Sequence, residues 1–115
     1  MLTIYHNPRC TKSRETLALL HEHGQEPRVV LYLDTPPDHT ELQSLLRQLG
    51  ISPRELLRTK EDEYKALGLN RPDLTDDALI DAMVRHPRLI ERPIVSDSQR
   101  AVLGRPPENV LELLP

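Results

Sequence analysis

"LTIYHNPRCTKSRETLALLHEHG" (Leu2–Gly24) and, three residues on, "RVVLYL" (Arg28–Leu33) decide the fold. Leu2–His6 reads as a short strand, and "NPRC" turns the chain. "SRETLALLHEHG" continues as a helix with Leu17 and Leu20 on one face and Gly24 as a stop signal. "RVVLYL" is a nearly continuous apolar run, the pattern of a strand covered on both faces. Strand, helix and strand with tight connections make a βαβ unit, which is right-handed and parallel in almost every instance.

Beyond this unit the pattern changes. Asp38 and Glu41 form a capping arrangement ahead of Leu42, Leu45, Leu46 and Leu49, which fall at i, i+3, i+4 and i+7 along one helical stripe. "SPRELLR" opens another helix, with Ser52 as N-cap, Pro53 at the first position and Glu55 at the third. "EDEYKALGL" reads as a short helix. "TDDALIDAMVRH" is a stronger one, capped by Thr75, with acids in its first turn and Leu79, Ile80, Met83 and Val84 as its apolar face. "RPIVSD" and "RAVLG" then read as strands of an antiparallel hairpin turning at "SDSQ", and "PPENVLELLP" closes as a helix. The expected architecture is α/β: β-α-β, an all-helical block over about residues 38–90, then β-β-α. Without the block this is a thioredoxin-like order with a mixed four-stranded sheet.

The 115 residues suit a single domain (1–115), and the absence of Phe and Trp makes the core aliphatic. One cysteine excludes an internal disulfide framework and fits a reducing cytoplasm. The start shows no secretory leader, and no apolar stretch approaches a membrane span of roughly 20 residues. A formal net charge of −3 argues against nucleic acid as a partner. Four of the histidines, His21, His23, His39 and His86, read as surface residues with no metal-binding spacing. Twelve of the fifteen cationic side chains are arginine, whose planar fork suits two-point contact with oxyanions.

Cys10 follows the first strand at the mouth of the first helix, with Arg9, Lys12 and Arg14 around it. Unpaired N–H groups at a helix start favour an anion, and neighbouring cations lower a thiol pKa further. The thiolate is the nucleophile, so the position points to a reactive sulfur. "CTKS" places Ser13 where a dithiol motif needs its second cysteine, so an outside thiol must resolve any oxidised intermediate. A phosphatase-type C-x5-R loop needs arginine at the position held by Thr16, which disfavours that chemistry.

"IYHNPRCTKSRETL", "VVLYL", "ELLR", "LIDAMVRHPRLIERPIV" and "LGRPPE" together resemble the glutaredoxin-linked arsenate reductases of bacteria, from Leu2 to about Leu113. The resemblance implies a thioredoxin-like fold with a helical insertion. It makes Cys10 the nucleophile that forms a covalent adduct with the arsenic of arsenate, and His6 a histidine near the thiol that helps keep it ionised. Arg58, Arg92 and Arg105 match the three arginines that bind the oxyanion. The Arg92–Pro93 bond falls where such folds carry a cis-proline beside the thiol. Glutathione is the implied co-substrate and glutaredoxin the implied protein partner, acting on a cytoplasmic monomer with no bound cofactor and no metal. Thr11 and Lys12 follow the cysteine where well-characterised members carry Gly-Thr, which brings the chain nearest a housekeeping branch of undefined substrate. Two further readings stay open: a glutathione-dependent reductase of mixed disulfides, and a non-enzymatic redox-linked regulator.

Overall fold

A computed structural model describes residues 1–115. Strand β1 (Thr3–His6) lies parallel to β2 (Arg28–Leu31), with Thr3 opposite Arg28 and His6 opposite Leu31. On its other side β1 is antiparallel to β3 (Ile94–Ser96), which pairs antiparallel with β4 (Ala101–Leu103). The order β2-β1-β3-β4 is the mixed thioredoxin-like sheet expected from the sequence. The hairpin turns where Asp97 Oδ1 accepts the N–H groups of Gln99 and Arg100 at 2.9 and 2.7 Å, with Ser98 at φ 78°.

Helix α1 (Thr11–Glu22) crosses between β1 and β2 and ends at Gly24, whose φ of 75° suits glycine. Its buried Leu20 joins Leu2, Ile4, Val95 and Val110 in an aliphatic core, with Leu17 and Val102 packed against it. Each such buried side chain contributes roughly 1.5–3 kcal/mol relative to exposure.

Two expectations need correction. "RVVLYL" does not form a strand covered on both faces: β2 ends at Leu31, and Val29 and Leu31 are 44% and 40% exposed. The reason is its place in the sheet. β2 is an outer strand, and α1 and the C-terminal segment pack chiefly on β1, β4 and each other. The closing segment, Pro107–Leu113, is a 3-10 helix instead of an α-helix. It is short, and the Asn109 side-chain amide donates to the carbonyls of Leu103 and Arg105 at 3.1 and 3.2 Å, tying its start to the end of β4.

Internal contacts divide the chain into two compact units. One comprises Met1–Thr35 with Arg92–Pro115, and the other is Pro36–Glu91, close to the helical block expected over 38–90. The second unit contains α2 (His39–Leu49), α3 (Pro53–Leu56), α4 (Asp62–Ala66), α5 (Asp76–Arg85) and a 3-10 turn at Pro87–Leu89. The Asp38 carboxylate accepts the Glu41 N–H at 2.8 Å, and the Thr75 hydroxyl accepts that of Ala78 at 3.1 Å. Ser52 and Glu55 form the full reciprocal capping box. Each cap contributes about 1 kcal/mol. α2, α3 and the 3-10 turn pack against α5, and Leu57 bridges antiparallel to Ile90. No helix is long and apolar enough to cross a membrane.

Candidate active site

The loop from β1 to α1 is built by Asn7. Its carbonyl accepts the Cys10 N–H at 3.0 Å, and its side-chain oxygen accepts the Arg9 N–H at 3.0 Å. Cys10 is thereby placed as the N-cap of α1 in an extended conformation, half-buried, with the Arg14 N–H donating to its carbonyl. No side-chain hydrogen bond caps this helix, and its first turn holds no acid. The positive end of the helix is thus left to the sulfur. Burial alone would raise the thiol pKa. The Ser13 N–H, the hydrogen bond and charge of the Arg92 guanidinium, and the Lys12 N–H together outweigh that, leaving it below its ordinary value. The balance shifts the thiol toward its thiolate.

A second guanidinium comes from the far end of the chain. Arg105 Nη1 lies 4.0 Å from Cys10 Sγ and donates to the Arg92 carbonyl at 3.3 Å. Both arginines precede prolines, and the Arg92–Pro93 and Arg105–Pro106 bonds are cis. Cys10, Arg92 and Arg105 therefore converge within one unit.

His6 ends β1 and is buried. Its Nδ1 is 2.6 Å from the Ser13 hydroxyl, which also accepts the Asn7 N–H at 3.0 Å. Ser13 is fully buried, so its proton has one good acceptor, the ring nitrogen. That places the imidazole proton on Nε2. Burial and then the nearby Arg14 charge push the His6 pKa down, so the ring is neutral near neutral pH. His6 touches the thiol loop through Ser13 and contributes no positive charge there. In the sequence Ser13 stands out only as the residue in place of a second cysteine. Its role in orienting the loop had one sequence signal, a small hydroxyl three residues into a helix that a cysteine caps.

Arg58 belongs to the inserted unit. Its Nε donates to Glu61 Oε2 at 3.1 Å and its Nη1 to Glu91 Oε1 at 2.5 Å, while Arg88 Nη2 reaches Glu61 Oε1 at 3.1 Å. Burial works against the Arg58 charge, and the carboxylates of Glu91 and Glu61 more than offset it. No cluster of three or more His, Cys, Asp or Glu side chains is arranged to hold a metal ion.

The model of the ArsC family matches residues 5–113. The chain belongs to the ArsC family. It is 60% identical over 112 residues to the uncharacterized protein YfgD of Escherichia coli K12, covering 96% of this chain and 94% of that protein. It is 51% identical over 114 residues to an arsenate reductase of Neisseria meningitidis serogroup A, covering 98% and 97%. Among solved structures, an arsenate reductase from Vibrio cholerae is 54% identical and superposes with a TM-score of 0.96 over 98% of this chain and 97% of that one.

Proposed function

We propose that this ArsC-family protein reduces arsenate to arsenite with glutathione and glutaredoxin as the source of electrons. The observation that carries the reading is the sulfur of Cys10 at the start of α1, its pKa lowered by the Ser13 N–H and the Arg92 guanidinium, with Arg105 Nη1 4.0 Å away. An anionic nucleophile and an anionic substrate repel one another unless fixed cations neutralise both. The arsenate reductases among the relatives support the choice of oxyanion.

In this reading the Cys10 thiolate attacks arsenic(V), forming an S–As bond while one arsenic-bound oxygen leaves as water after protonation. Arg92 and Arg105 hold the remaining oxygens. A glutathione thiol then adds to arsenic with loss of a second water. A glutaredoxin thiol attacks the glutathione sulfur, and the electron pair of that sulfur–arsenic bond stays on arsenic, which becomes arsenic(III). The mixed disulfide leaves, and hydrolysis of the Cys10–arsenic bond releases arsenite and restores the thiol. The single cysteine requires this external resolution. The resemblance adds Arg58 to the oxyanion ligands, and the protein acts as a cytoplasmic monomer.

The test is arsenate-dependent NADPH oxidation with glutathione, glutaredoxin and glutathione reductase supplied. Wild type turns over, and Cys10→Ser falls to the rate without enzyme. Turnover surviving that substitution removes the mechanism. Lys12, placing a bulky cation beside the thiol, favours a second reading in which the substrate is a glutathione mixed disulfide. A glutathionylated peptide in place of arsenate separates the two.

A further inference from the structure

Gly104 sits between β4 and Arg105, and it is not a turn glycine: the positive-φ glycines are Gly24, Gly50 and Gly68. What it lacks is space. A Cβ built on Gly104 would lie 2.4 Å from Thr16 Oγ1, 2.9 Å from Thr16 Cγ2 and 2.8 Å from Pro93 Cγ. Carbon and oxygen do not approach so closely without displacement. The close seat is also hydrogen-bonded. The Gly104 N–H donates to the Pro93 carbonyl at 2.9 Å. The Thr16 hydroxyl, fully buried, donates to the Lys12 carbonyl at 2.7 Å and reaches the Gly104 carbonyl at 3.3 Å.

The three partners have telling neighbours. Thr16 lies on α1, six residues beyond Cys10, and bonds to Lys12, whose N–H faces the sulfur. Pro93 follows Arg92, and Gly104 precedes Arg105. We propose that Gly104 and Thr16 are positioning residues, their Cβ-free seat setting Arg92 and Arg105 against Cys10. Neither touches the thiol. They act by fixing how near the segments carrying the two arginines come to the helix carrying the sulfur. The proposal deepens the oxyanion-reductase reading and rests on its anion-binding part.

The test uses the full chain with Gly104→Ala, Thr16→Ala, the double variant and Thr16→Val. Thermal melts establish folding, the pH dependence of Cys10 alkylation by iodoacetamide reports the thiol, and KM and kcat for arsenate report the anion site. In Gly104→Ala the alkylation midpoint rises by about half a pH unit or more, because the guanidiniums and helix dipoles are displaced from the sulfur. KM rises about tenfold or more, with a smaller change in kcat, as a misplaced binding group requires. Thr16→Ala removes two of the three close contacts, so the double variant recovers at least about half of each shift, a coupling that independent sites would not show. Thr16→Val keeps the bulk and deletes the hydroxyl, and raises KM by a few-fold, as the loss of one net hydrogen bond does. A folded Gly104→Ala protein with the wild-type midpoint and KM overturns the proposal, and so does a double variant no better than Gly104→Ala. Should Gly104→Ala not fold, Thr16→Val decides, and wild-type behaviour there overturns it. Wild type that fails to reduce arsenate refutes the reductase reading, while the alkylation midpoints still decide the positioning.

Discussion

Helices α1 and α5 open in opposite ways. The first turn of α5 is satisfied from within, with Thr75 on the Ala78 N–H and Asp76 and Asp77 beside the positive end. α2, α3 and α4 likewise carry acids in their first turns. α1 alone carries none, and its N-cap is the cysteine. The arginines repeat the contrast: Arg58 is bonded to two carboxylates of its own unit, and Arg105 approaches a sulfur. In the inserted unit these charges already have acidic partners, and in the other a helix start and Arg105 face a sulfur. The lesson is that charge at a helix start or on an arginine acquires chemical meaning only through what else already occupies it.

That contrast can be broken in order of expected size. Arg105→Ala removes a charged donor, so KM for arsenate should rise roughly tenfold to a hundredfold, the effect of about 1.5–3 kcal/mol. Its melting temperature should stay close to wild type, and an unchanged KM would take Arg105 out of the anion site. Arg58→Ala strips the cation from Glu61 and Glu91, partly buried carboxylates, and should lower unfolding free energy in urea by about 1–3 kcal/mol. A wild-type urea midpoint would show that the pairs contribute nothing to holding their unit together. Thr75→Ala should cost about 1 kcal/mol of stability and leave the alkylation profile of Cys10 where it was. Any movement of that profile would contradict the independence of the α5 cap.

The smallest effect sharpens the electrostatic side. Lys12→Glu puts into α1 the acid that the other helices have. A carboxylate there disfavours the thiolate, so the folded thiol pKa rises toward its ordinary value of about 8.5 and less anion is present at pH 7. Alkylation at that pH should slow by roughly two- to fivefold, equivalent to 0.3–1 kcal/mol at a helix end. An unchanged rate would mean that the first-turn field is too weakly felt at the sulfur to matter.

The helices of the inserted unit were legible because their signals are local. Asp38 to Glu41, Ser52 to Glu55 and Thr75 to Ala78 are all three residues apart, and each cap is present. The βαβ start and the hairpin were legible for the same reason. The exposure of β2 is not legible, because an apolar run states that a strand is apolar and not where in the sheet it lies. The site was legible only at Cys10, whose neighbours and position speak for themselves. Arg92 and Arg105 carry no local mark, and their roles entered through resemblance alone. Gly104 and Thr16 were invisible because their constraint joins residues 88 apart in sequence. Ser13 was passed over because a buried hydroxyl between a histidine and a loop amide looks, in one dimension, like any helix serine.

The lone cysteine makes the intact chain its own logbook. Whatever last bonded to sulfur adds one mass increment at one address. On the mechanism proposed above, a whole-protein mass spectrum of material trapped during turnover would show discrete peaks for the bare thiol, its arsenic adduct and the glutathione-bearing stage, and their relative heights would rank the steps by how long the sulfur waits in each.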